Sequence, residues 1–168
     1  KIQIDKNESA NKAYTDAITE ADGAFQKKEW AKATTSYQKA SDLKEKEIYP
    51  KNRLKEIETI IANEQKTNEA YNDAIALADS KFTSKEYNEA KVGYQKALTI
   101  KAEEKYPTDK IKEIENILSE LNKKDKGYTD AIAEADAELK NKNYQKSIDS
   151  YKLALTFKAD EDYPKDKI

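Results

Sequence analysis

"EKYPTDKIKEIENIL", residues 104–118, decides the fold. The same phrase has already occurred at 47–61 as "EIYPKNRLKEIETII", and it begins a third time at 161–168 as "EDYPKDKI". The rest of the chain repeats in step with it. Tyr14, Tyr71 and Tyr128, 57 residues apart, each open a near-copy: "YTDAITEADGAF", "YNDAIALADSKF" and "YTDAIAEADAEL". Next come "KKEWAKATTSYQKASDL", "SKEYNEAKVGYQKALTI" and "NKNYQKSIDSYKLALTF", and then the Tyr-Pro phrase. A fixed period held without a gap marks a tandem array of one supersecondary unit. It divides the chain into units at 14–70, 71–127 and 128–168, the last truncated. Residues 1–13 read as the end of a linker helix from a preceding unit.

Within a copy the spacing is helical. Ile75, Ala78 and Phe82 step by three and four, and so do Tyr87, Ala90, Tyr94, Ala97 and Leu98. The short "TSKEY" between these runs predicts an antiparallel helical hairpin. Tyr106-Pro107 then opens a new helix, with proline at the first helical position and Asp109 suited to the positive N-terminus. From Ile111 one register runs through Ile114, Leu118, Leu121, Asp125, Tyr128, Ile132, Ala135 and Leu139, past Gly127. The pattern predicts long helices at about 51–84 and 108–141 and short ones at about 29–47, 86–104 and 143–161. A long helix would climb about 50 Å and a short one descend half of that, so each unit would advance about 25 Å. The expected fold class is all-α: an elongated helical-repeat array of successive three-helix bundles. The polar stretches 62–70 and 119–127 would cross solvent between bundles, giving a rod.

Composition narrows the function. Charged residues make up 38 % of the chain and the net charge is −2, so nothing in the charge balance draws in nucleic acid or anionic lipid. Arg53 is the single arginine, which removes the planar fork that reads phosphates and bases. With no Cys, His or Met, the chain by itself can build no disulfide, zinc site or imidazole base. No apolar run approaches membrane-span length. The expectation is therefore a non-enzyme with no catalytic residue, no cofactor and no metal. The carboxylates read as solvated i,i+4 pairs, and the cluster Asp160, Glu161, Asp162 and Asp166 lacks the glycine-centred loop that calcium requires.

The positions singled out are structural. Asp22, Asp79 and Asp136 each follow a small alanine and are expected to accept a hydrogen bond from a second-helix tyrosine or a turn amide. Tyr49-Pro50, Tyr106-Pro107 and Tyr163-Pro164 are expected to act as hydrophobic locks at the bundle ends.

The hairpin portion resembles the tetratricopeptide repeat. Ala78, Tyr87, Ala90, Tyr94 and Ala97 fall at that family's spacing, as do Ala21, Trp30, Ala33, Tyr37 and Ala40. The third copy matches with Ala135, Tyr144, Tyr151 and Ala154, with Ser147 in place of an alanine. The resemblance covers about 34 residues of each unit; the remainder supplies the Tyr-Pro helix and linker. It implies protein–protein interaction without catalysis. Members that grip a C-terminal carboxylate use Lys and Asn where this chain has Ile18, Ile75, Ile132, Asp22, Asp79 and Asp136, so that mode is not expected. Similar elongated repeats occur in bacterial envelope-associated proteins. The expected role is a semi-rigid spacer or scaffold and interaction platform within a larger bacterial protein; its compartment is left open, with a preference for the periplasm or envelope. The alternative is a module whose groove binds a peptide or a partner's helix. An uncovered apolar strip along 128–141 and 143–161 is also expected, with self-association through the truncated third unit.

Overall fold

The computed structural model describes the backbone of residues 2–168 and the side chains of residues 7–168. Lys1, the first residue of the expected linker segment 1–13, lies outside the described residues. The described chain is all-helical: α1 (Ile2–Gln26), α2 (Trp30–Leu43), α3 (Ile48–Thr83), α4 (Tyr87–Ile100), α5 (Lys105–Lys140), α6 (Tyr144–Phe157) and α7 (Asp162–Lys167). It forms two compact units, residues 1–69 and 70–168, and α3 contributes to both.

The long helices begin three residues before the predicted starts. Pro50, Pro107 and Pro164 therefore occupy the third helical position, not the first. Proline is accommodated anywhere in this turn because the first four N–H groups have no acceptor within the helix. All three prolines are fully buried. The short helices stop four residues before the predicted ends, at Leu43, Ile100 and Phe157. The residues just past these ends, "KEKE" at 44–47, "KAEE" at 101–104 and "KADE" at 158–161, offer no apolar side chain larger than alanine to bury, and packing is what sustains a short amphipathic helix.

The hairpin turns share one geometry. Lys28, Lys85 and Lys142 have φ of 58°, 61° and 61°, the left-handed region usually given to glycine. At the middle turn the Lys85 N–H donates to the Phe82 carbonyl and the Glu86 N–H to the Lys81 carbonyl, at 3.0 and 2.9 Å. This is the reciprocal bonding of a Schellman motif, and it recurs at Lys28–Glu29 and Lys142–Asn143.

In the unit of residues 1–69 the core gathers Ala21, Ala24, Ala33, Tyr37 and Ile57, flanked by Ile18, Phe25, Trp30, Leu54 and Ile61. In the unit of residues 70–168 the corresponding set is Ala78, Ala90, Tyr94 and Ile114, flanked by Ile75, Phe82, Tyr87, Ile111 and Leu118. Alanines dominate the contact between the two hairpin helices, which lets the backbones approach closely and leaves each buried tyrosine as the main space-filling group. Ser147, in the place of Ala33 and Ala90, is buried and donates its hydroxyl to the Ala135 carbonyl at 2.9 Å, so the exchange leaves no orphaned polar atom. Residues 62–70 of α3 and 119–126 of α5 are exposed throughout.

One position trades volume across a contact. A Cβ on Gly127 would lie 2.6 Å from the Phe157 ring, whereas the corresponding pairs are Ala13 with Leu43 and Ala70 with Ile100. The larger ring sits over the smaller residue.

Two substitutions test these readings. Lys85→Gly should stabilise the chain by about 0.5–1 kcal/mol in denaturant melts by relieving the left-handed strain, and Lys85→Val should destabilise it. Gly127→Ala should destabilise the native chain. In a Phe157→Leu background the same change should stabilise by about 1 kcal/mol, the ordinary helix-propensity gain. Additive effects in this cycle would show that the ring and the glycine are not coupled.

Candidate functional site

The residues singled out in the sequence meet in one arrangement, found three times. In the unit of residues 70–168, Asp79 projects from the last turns of α3, one residue beyond the fully buried Ala78. Its Oδ1 accepts the hydroxyl of Tyr94, from the middle of α4, at 2.5 Å, and the hydroxyl of Tyr106, from the start of α5, at 2.8 Å. The two tyrosine rings meet edge to face with centroids 6.1 Å apart. Pro107, fully buried, closes the arrangement behind Tyr106. A single carboxylate oxygen thus ties three helices together.

The same unit repeats this at Asp136, whose Oδ1 accepts Tyr151 at 2.5 Å and Tyr163 at 2.9 Å, beside buried Pro164. In the unit of residues 1–69, Asp22 accepts Tyr37 at 2.5 Å and Tyr49 at 2.8 Å, beside buried Pro50. The expected acceptor role therefore involves two hydroxyls, one from the second hairpin helix and one from the Tyr-Pro phrase. Tyr49, Tyr106 and Tyr163 are 41 %, 45 % and 45 % exposed. They work through the hydroxyl and the ring edge, and the hydrophobic lock is the proline.

Burial shapes the electrostatics. Tyr37, Tyr94 and Tyr151 are fully buried. Burial first, and then the hydrogen bond to the aspartate, pushes their hydroxyls far above the usual tyrosine range. For Tyr106 and Tyr163 the hydrogen bond to the aspartate is the leading cause of a rise in the same direction. These phenols are held as donors, the opposite of what a tyrosine general base would need.

Two further sets of partners were not singled out in the sequence. Lys44, Lys101 and Lys158, just past the short helices, place their ammonium groups 4.6, 4.9 and 5.1 Å from the ring centroids of Tyr14, Tyr71 and Tyr128. Arg53 lies 4.5 Å over the Phe25 ring, donates to the Tyr49 hydroxyl at 3.3 Å and pairs with Glu56 at 2.8 Å. Lys110 does much the same over Phe82 at 4.2 Å while paired with Glu113. The signal was present as a cation at matching positions in each copy, but lysine is so frequent here that the recurrence carries little weight until the rings are placed.

Among the described residues no group of three or more acidic side chains is placed to hold a metal ion, the cluster at 160–166 included. No described helix is long and apolar enough to cross a membrane. Comparison of the chain with models of known protein families and with curated proteins gives no match.

Removing the acceptor should cost more than removing the exposed donor. Asp79→Ala leaves the buried Tyr94 hydroxyl unpaired and should lower stability by about 1–3 kcal/mol, measured by denaturant unfolding. Tyr106→Phe should lower it by less than half of that. Equal losses would mean that Asp79 is not the centre of the arrangement.

Alkali should unfold the chain through the same groups. Tyr37, Tyr94 and Tyr151 keep their protons in the folded state above the unfolded value near 10, so the unfolded state binds fewer protons and stability falls as pH rises past it. Each contributes a slope of about 1.4 kcal/mol per pH unit in that window and nothing below it. Absorbance at 295 nm should show these tyrosinates appearing only as helical circular dichroism is lost. Titration of every tyrosine near pH 10 with the helix intact would contradict the arrangement.

Proposed function

We propose that this chain is a non-catalytic, tetratricopeptide-like helical-repeat module of three 57-residue units. In this reading each hairpin, with the Tyr-Pro helix after it, forms a three-helix bundle. The array serves as a semi-rigid scaffold or spacer and as a platform for protein–protein contacts. The observation that carries the reading is the carboxylate shared by two tyrosines, recurring at Asp22, Asp79 and Asp136 with nearly unchanged distances. A device used three times to join helices, with its donors protonated and both bound to one acceptor oxygen, suits the maintenance of geometry better than the turnover of a substrate. The exposed polar stretches at 62–70 and 119–126 fit linkers that carry orientation from one bundle to the next.

Protein contact is supported by the third hairpin. Tyr144 is 60 % exposed, whereas Trp30 and Tyr87, at the matching positions, pack against cores. Tyr144 lies on the strip expected from the sequence to be uncovered, and a protein neighbour would bury it.

A spacer must hold a distance. Because the chain has no cysteine, Ser84→Cys and Asn141→Cys, one period apart within the unit of residues 70–168, can be spin-labelled cleanly. Pulsed dipolar spectroscopy should give one narrow distribution at about 25 Å, one advance of the repeat. A broad distribution, or a mean far below that, would overturn the spacer reading.

A further inference from the structure

The middle hairpin departs from its two copies on its outer face. Leu77 stands where the others have Glu20 and Glu134, and Val92 where they have Thr35 and Asp149. Gly93 replaces Ser36 and Ser150. Leu77 and Val92 are 58 % and 64 % exposed and belong to no core. Together they border a groove of about 380 Å³ between the end of α3 and α4, which Lys81, Glu89, Gly93 and Lys96 also line. Gly93 sets its depth. A Cβ there would stand 2.8 Å from that of Ala78, so the helices are closer at this point than a side chain would allow. Two charged or polar positions on the outer face have become apolar, beside a third, turned towards α3, that has lost its side chain.

We infer that this groove is a self-complementary interface at which a second copy of the chain packs α4 antiparallel against α4. Register makes the two surfaces match. A two-fold axis passing between Val92 and Gly93 sets each residue opposite the one equally far on the other side. Val92 of each copy then falls beside Gly93 of the other, where no side chain stands in its way. Glu89 falls opposite Lys96, and Lys96 opposite Glu89, so both rims pair opposite charges and no like charges meet. No ion pair within the described chain engages either residue, whereas Lys81, on the far wall, is already paired with Glu86 at 2.6 Å. Leu77 would flank the contact and exclude water from it. The first and third hairpins, with Glu and Thr or Asp at these positions, present no such surface.

The chain itself supplies the test substitutions. Leu77→Glu and Val92→Asp install residues that the third hairpin already carries at the matching positions, so the helical hairpin tolerates them. Sedimentation equilibrium of the whole chain over about 1–500 μM should show a mass rising from 19.2 kDa towards twice that value. The Leu77→Glu, Val92→Asp double variant should stay at 19.2 kDa with unchanged helical content and melting. Lys96→Glu should weaken association at least about tenfold, and Glu89→Lys added to it should restore association, a rescue that leaves the apolar residues untouched. A chain that stays monomeric over the whole range would overturn the inference. So would a dimer that the double variant leaves undiminished, since association would then lie on another surface, such as that of Tyr144.

Discussion

A phenol buried among alanines must find an acceptor, and in this protein that acceptor is one aspartate oxygen. Tyr37, Tyr94 and Tyr151 are the bulkiest fully buried side chains, and each points its hydroxyl at an aspartate on the neighbouring helix. Left unpaired, such a hydroxyl would cancel much of what burying its ring contributes. Because the same oxygen also accepts the tyrosine of the Tyr-Pro phrase, it fixes where the next helix begins relative to the hairpin. The close approach through Ala21, Ala78 and Ala135 and the burial of the proline depend on that placement.

The long helices owe their continuity to their ends. Over 119–126 of α5 the side chains are exposed and supported only by surface pairs, such as Lys123 with Glu120 and Lys126 with Asp130. Such pairs are worth a few tenths of a kcal/mol each, too little to hold a helix by themselves. Helix propagation is much easier than nucleation, however, and packing at both ends supplies the nuclei. Lysine- and glutamate-rich sequence between them need only avoid breaking the helix.

Departures from the repeat carry as much information as the repeat does. Where Phe157 replaces Ile100 and Leu43, Gly127 replaces Ala70 and Ala13, so a gain in volume on one helix is met by a loss on the other. Where Ser147 replaces an alanine, a backbone carbonyl receives its hydroxyl. Leu77 and Val92 differ from these cases, since no internal contact absorbs the change. Exposed apolar side chains with no internal reason are the kind of residue that a partner surface explains.

Much of this was open to reading in the amino-acid order. The period, the helical spacing, the hairpins, and the recurrence of Asp22, Asp79 and Asp136 beside the Tyr-Pro phrases are all one-dimensional patterns, because a helix writes its buried face into the sequence every three or four residues. The starts of the long helices and the ends of the short ones were read three or four residues off, since proline is compatible with the whole first turn and a polar tail stops a helix only when there is nothing to pack against. The turn lysines at positive φ gave no sign of themselves, since the usual sign is a glycine. Above all, the sequence offered a second-helix tyrosine or a turn amide as the donor to each aspartate but not Tyr49, Tyr106 or Tyr163, which lies 27 residues along the chain. Spacing within a helix is fixed by its backbone, but contact between helices depends on how three of them pack, and only the tertiary structure decides that.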